Sequence, residues 1–74
     1  MNDFNAEIGL RVRQRRKDLK YTREKLAYMA SISDKFLYDI EVGKKGISAK
    51  TLFSLTQALD VSADWLLSKE QKIK

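Results

Sequence analysis

Residues 23–42, REKLAYMASISDKFLYDIEV, carry the clearest structural signal of the chain. Its apolar spacing divides it into two helical segments of about eight residues, separated by a turn of three or four. Leu26, Ala27 and Ala30 share one side of the first segment, and Leu37 and Ile40 share one side of the second. Thr22 and Ser33 stand where N-caps belong, and Glu24 and Asp34 suit the positive end of a helix dipole. Lys25 follows Thr22 at the position where a carboxylate would complete a capping box. Ala27 has to be small because the second helix crosses the first there, and Ile32 plugs the angle between them. Ser33, Asp34, Lys35, Tyr38 and Asp39 are then expected on the side away from the core. A helix fits the major groove of B-DNA, and short polar side chains on its N-terminal half reach base edges.

Before this stretch, Phe4, Ile8, Val12 and Leu19 recur at helical steps and predict a first helix over about residues 3–19. Gly43 is placed to end the second helix of the central pair, since glycine enters the left-handed region at little cost. Ser48 caps a fourth helix with Leu52, Leu55 and Leu59 inward, Phe53 being a further inward candidate. Ser62 caps a short fifth helix carrying Trp65, Leu66 and Leu67. Proline is absent, and glycine occurs only three times, consistent with helices joined by short turns. The expected architecture is all-α, a compact five-helix bundle forming one domain over residues 1–68. Residues 69–74 are expected to be a frayed, charged tail.

The chain carries a net charge of +5 over its 74 residues, and the location of the charge is informative. Between residues 11 and 25 there are eight basic side chains against Asp18 and Glu24, so the remainder is slightly acidic. A phosphate-binding surface requires such a concentration, and a merely solvated helix face gives the same count. A membrane-surface helix fits less well, because the neighbouring apolar residues are needed in a core.

Histidine and cysteine are both absent, which removes the commonest general base, the commonest zinc ligands and any disulfide. No glycine-rich phosphate loop or metal-ligand cluster is visible, so no enzyme, cofactor or metal is expected. No apolar run approaches the roughly 20 residues of a membrane span, and no signal-peptide core is present. A cytoplasmic, nucleoid-associated location is expected, with no small-molecule ligand evident. So small a core gains from oligomerisation.

In order and at the right spacing, several segments resemble the Cro and phage-repressor type of helix-turn-helix domain, also called the xenobiotic-response-element family. They are Ile8-Gly9, Arg11-Val12-Arg13, Thr22, Leu26-Ala27, Ile32-Ser33, Ile40-Glu41-Val42-Gly43-Lys44 and ALDVSADWLL at residues 58–67. The resemblance covers residues 8–67. It implies a lambda-repressor-like bundle in which helices 2 and 3 form the helix-turn-helix and helix 3 reads DNA. It also implies a homodimeric transcriptional regulator, expected to be a repressor acting on an inverted-repeat operator in double-stranded DNA.

Carried over by position, the resemblance makes Ser33, Asp34, Lys35, Tyr38 and Asp39 candidates for base contact. Thr22, Arg23, Lys44 and Lys45 become candidates for phosphate contact. Arg16 and Glu41 match a partly buried salt bridge, and Val61, Trp65, Leu66 and Leu67 match a dimer interface. Some roles stay open. Asp34 suits either cytosine readout or a helix dipole, and Tyr38 either a groove or packing. Trp65 suits either the core or the dimer, and Phe36, open like Tyr38 to groove contact or packing, reads best as an exposed or partner-contact residue.

The sequence departs from the family pattern in four places. Arg23 replaces a common glutamine, so an amide contact with adenine is lost and phosphate or guanine is available instead. Ser31 replaces a turn glycine and Ile47 a common proline. Arg15 replaces a leucine, its stem expected to pack while its head stays wet. An alternative reading, an antitoxin-like or coactivator-like protein-interaction module, is motivated by the acidic pair on helix 3 and by Phe36.

Overall fold

Hydroxyl caps start four of the five helices in the computed structural model, which describes residues 3–68. The helices are α1 (Asp3–Asp18), α2 (Arg23–Ala30), α3 (Asp34–Glu41), α4 (Ala49–Leu59) and α5 (Ala63–Leu67). The side chains of Thr22, Ser33, Ser48 and Ser62 accept from the backbone N–H of Lys25, Phe36, Thr51 and Trp65 at 2.9–3.2 Å. Each satisfies a donor with no partner inside its own helix. No strand occurs among the described residues, and residues 69–74, expected to fray, lie outside them.

The first four helices also stop in the same way. A left-handed residue follows each: Lys20 (φ 64°), Ser31 (φ 60°), Gly43 (φ 84°) and Asp60 (φ 58°). The next N–H then reaches back to the carbonyl five residues earlier. These bonds run from Tyr21 to Arg16, Ile32 to Ala27, Lys44 to Asp39 and Val61 to Thr56, at 2.9–3.1 Å. They are the six-to-one bond of a Schellman ending. Ser31 therefore takes the left-handed turn that favours glycine, and α1 closes at Asp18, one residue before Leu19.

The core gathers Ile8 and Val12 from α1, Leu26, Ala27 and Ala30 from α2, and Leu37 and Ile40 from α3. Leu55 and Leu59 of α4 and Leu66 of α5 complete it. Fully burying a Leu or Ile contributes about 1.5–3 kcal/mol, and Leu26, Leu37, Ile40, Leu55, Leu59 and Leu66 are all sealed from solvent. Two aromatic residues depart from expectation. Phe4 is 40% exposed, and Phe53 is 65% exposed on the outer side of α4.

Gly9 sets the distance between α1 and α3. A Cβ there would overlap the carbonyl oxygen of Ile40 and come within 2.7 Å of that of Glu41. Both acceptors are backbone, so the helices can approach this closely only over glycine. The contact seats the C-terminal end of α3 on α1.

The basic residues of α1 divide between fold and surface. Arg15 Nε donates to the Leu59 carbonyl at 2.9 Å, so its head is not free in water as expected. Arg11 Nη1 donates to the Leu66 carbonyl at 3.1 Å. Cations at helix C-termini satisfy orphan carbonyls and complement the dipole. Part of the positive charge of residues 11–25 thus holds α4 and α5 onto α1.

Candidate nucleic-acid interface

The connection between α2 and α3 is residues 31–33, and it turns α3 so that one face packs inward while another faces solvent. Leu37 and Ile40 are buried and Phe36 is half-buried against the core, which corrects its reading as an exposed or partner-contact residue. The packing of Phe36 widens the inner stripe of α3 beyond the two residues expected. The outer face carries Asp34, Lys35 and Tyr38, with Ser33 at its tip.

Two clusters organise this face. In the first, Arg23 Nε at the start of α2 donates to Asp34 Oδ1 at 2.8 Å. The guanidinium carbon lies 5.2 Å from the centre of the Tyr38 ring, within cation–π range. The hydrogen bond to Asp34 raises the Arg23 pKa, against a smaller opposing effect of desolvation. In the second cluster, Lys35 Nζ donates to both Asp39 carboxylate oxygens at 3.0 and 3.1 Å. Lys45 Nζ lies 3.9 Å from Asp39 Oδ2.

Asp39 therefore does not face outward as expected. Its side chain is 5% exposed, covered where α3 meets the loop that follows it. The backbone N–H groups of Lys44 and Lys45 also bond the Asp39 carbonyl, folding the loop over this residue. The hydrogen bond from Lys35 lowers the carboxyl pKa, outweighing burial, and Lys44 and Lys45 add to the effect. Asp39 gathers the loop lysines instead of meeting a base edge.

Thr22 is exposed at the N-terminus of α2, and Lys44 and Lys45 are exposed after α3. They flank the outer face of α3 at its two ends. Arg16 sits behind it, its side chain 10% exposed, donating through Nε and Nη2 to the two oxygens of Glu41.

Beside α3 lies a cleft of about 450 Å³ that the sequence did not announce, lined by Ala6, Leu10, Arg13, Arg23, Tyr38, Glu41 and Val42. Leu10 and Val42 are exposed apolar residues that look out of place on each helix taken alone. The Gly9 contact brings them to one site, and a lone glycine inside a helical pattern was the only available signal.

The sequence pattern of the family described as "Helix-turn-helix domain" matches residues 9–72. The chain belongs to this helix-turn-helix family. It is 39% identical over 67 residues to the HTH-type transcriptional regulator DicA of Escherichia coli (strain K12), covering 90% of this chain and 50% of DicA. The chain thus spans about half the length of that regulator. Among solved structures, the P22 c2 repressor in complex with a synthetic operator is 33% identical, with a TM-score of 0.79, covering 82% of this chain and 92% of that one. The N-terminal DNA-binding domain of SinR from Bacillus subtilis is 31% identical, with a TM-score of 0.82, covering 89% of this chain and 97% of that one.

In this helix-turn-helix domain the residues expected to form a dimer interface do not share one environment. Leu66 is fully buried in the core, so it offers no surface to a partner, because α5 spends its one inward position on it. Val61 and Leu67 are half-buried, and Trp65 is 37% exposed. Among the described residues there is no group of three or more acidic residues that could hold a metal ion, and no helix long and apolar enough to cross a membrane.

Proposed function

We propose that this chain is a sequence-specific DNA-binding transcriptional regulator, a repressor that binds an inverted-repeat operator as a homodimer. The observation that carries this reading is the solvent-facing side of α3, with Ser33, Asp34, Lys35 and Tyr38, framed by Thr22 and Arg23 at one end and Lys44 and Lys45 at the other. Base-edge contacts from the middle of such a face supply specificity, while the flanking groups fix register on the phosphates. The N-terminus of α2 adds backbone N–H groups suited to an anion. The P22 c2 repressor, a similar protein solved in complex with a synthetic operator, supports the DNA-binding reading.

Dimerisation through Val61, Trp65 and Leu67 would set two α3 helices about 34 Å apart, one turn of DNA. Occupancy of a promoter would then exclude polymerase, and the protein would reside with the nucleoid in the cytoplasm. The protein-interaction alternative has less to motivate it, since Asp39 is buried, Asp34 is paired with Arg23 and Phe36 is half-buried against the core.

Selection from a random duplex library at two salt concentrations tests this function. An enriched inverted repeat, bound less tightly as salt rises, is the expected result. Failure to enrich any motif at low salt would reject it.

A further inference from the structure

We propose that Arg23, Asp34 and Tyr38 act as one base-reading unit, in which Asp34 positions the Arg23 guanidinium to take a guanine in each half-site. The inference rests on the DNA-binding reading above and deepens it. It assigns Asp34 a positioning role and moves Arg23 from phosphate to base contact.

Arg23 belongs to α2 but crosses to α3, where Nε meets Asp34 at 2.8 Å and the guanidinium lies over Tyr38 at 5.2 Å. Asp34 and Tyr38 are four residues apart, so they sit one above the other on the same face of α3. A long flexible arginine is thereby fixed at two points along the solvent side of that helix.

The chemistry of the guanidinium supplies the next step. It is a planar fork with donors at Nε, Nη1 and Nη2. Asp34 occupies the Nε side. The Nη1 and Nη2 groups at the outer end have no hydrogen bond to any described residue. Two parallel N–H groups match the O6 and N7 acceptors that guanine presents in the major groove. A phosphate accepts either the fork or a bare point charge, whereas a base edge needs the plane of the fork to be held.

Electrostatics point the same way. Paired with Arg23, the Asp34 carboxylate no longer adds uncompensated negative charge where DNA approaches. The two side chains are 39% and 45% exposed, so the pair is formed yet open to a groove. An unpaired Asp34 would instead read cytosine N4 directly, at a cost against every phosphate.

The test uses the full chain and a duplex recovered by the library selection, with each half-site position replaced in turn by the other base pairs. The wild-type protein is expected to prefer guanine at one position by about 5- to 150-fold. Arg23→Lys keeps the charge and loses the fork, so it should flatten that position alone. Asp34→Ala should flatten the same position and leave the other preferences standing, and Asp34→Glu should restore part of it. Arg23→Gln should move the preference toward adenine. Melting temperatures near that of the wild type would show the variants folded, as expected for side chains this exposed.

Any of the following results would overturn the unit. A shift by Asp34→Ala at a different position from Arg23→Lys would make Asp34 an independent reader. Arg23→Lys or Arg23→Gln could weaken every duplex alike, or leave all preferences intact, making Arg23 a phosphate contact or a bystander. If the wild type enriches no motif, the proposed function and the unit fall together. If it enriches a motif without an Arg23-dependent guanine, the unit alone falls.

Discussion

Arg16 Nε lies 2.7 Å from Glu41 Oε2, and its Nη2 lies 3.1 Å from Oε1, so the two side chains meet as two parallel forks. The third arm, Nη1, donates to the Tyr21 carbonyl at 3.0 Å. One guanidinium therefore ties together α1, the α1–α2 connection and the last residue of α3. Both side chains are nearly sealed from water, at 10% and 3% exposure, so each charge depends on the other. Removing one partner strands a buried charge, whereas removing both leaves no buried charge, only the Tyr21 carbonyl without its donor.

Arg16→Met and Glu41→Leu should each destabilise the domain by about 3–5 kcal/mol, and the double variant should recover much of that loss. Thermal melts of all four proteins give the coupling. A double variant whose loss equals the sum of the two single losses would mean that the pair does not act as a unit.

Gly9→Ala should destabilise although alanine is the better helix former. Intrinsic propensity favours alanine by about 1 kcal/mol. Against that, the new methyl meets the carbonyl oxygens of Ile40 and Glu41, which are backbone and cannot swing aside. Overpacking of this kind costs about 1–3 kcal/mol or more, so the net sign is unfavourable. A melting temperature at or above that of the wild type would mean that α1 and α3 separate easily.

Much of this architecture was legible in the sequence, for identifiable reasons. Thr22, Ser33, Ser48 and Ser62 are strong local signals, and all four cap the helices expected of them. Helix ends were harder to read, because Lys20 and Asp60 adopt a left-handed turn that their side chains do not advertise, as Gly43 does by residue type and Ser31 only through the resemblance. The roles of Arg11 and Arg15 were illegible for a different reason: their acceptors, Leu66 and Leu59, lie 55 and 44 residues away. Composition counts a cation in the same way whether it faces phosphate or caps a carbonyl. The burial of Asp39 likewise depends on how the loop after α3 folds back, which helical periodicity does not describe.

Acid should loosen the end of α3 through Asp39. Its folded pKa is lowered chiefly by the hydrogen bond from Lys35. The ionised carboxylate therefore stabilises the fold at pH values above the unfolded pKa of roughly 3.9. That contribution disappears as pH falls below this value and through the lower folded one. Asp39→Asn should melt lower than the wild type at neutral pH, and the difference should shrink in acid. A difference that stays constant between about pH 6 and pH 2 would contradict the role of the ionised group.

Ser31→Gly should stabilise the turn between α2 and α3. A left-handed L-residue carries a penalty of about 1–2 kcal/mol, and glycine returns part of it through the greater freedom of the unfolded chain, about 0.4–1 kcal/mol. The net gain should be near 1 kcal/mol, read as a higher denaturation midpoint at unchanged slope. An unchanged or lower midpoint would mean that the serine side chain contributes something the glycine lacks.

A titration of the isotope-labelled chain with its selected duplex, followed through the backbone amide resonances, shows directly which helix meets DNA. If the outer face of α3 enters DNA, the largest changes should fall at residues 22–25, 33–38 and 44–45. Smaller changes near Val61 and Trp65 should follow if the protein pairs on the operator. Large changes confined to α4 and α5, with residues 33–38 unmoved, would contradict the assignment of α3 as the element that reads DNA.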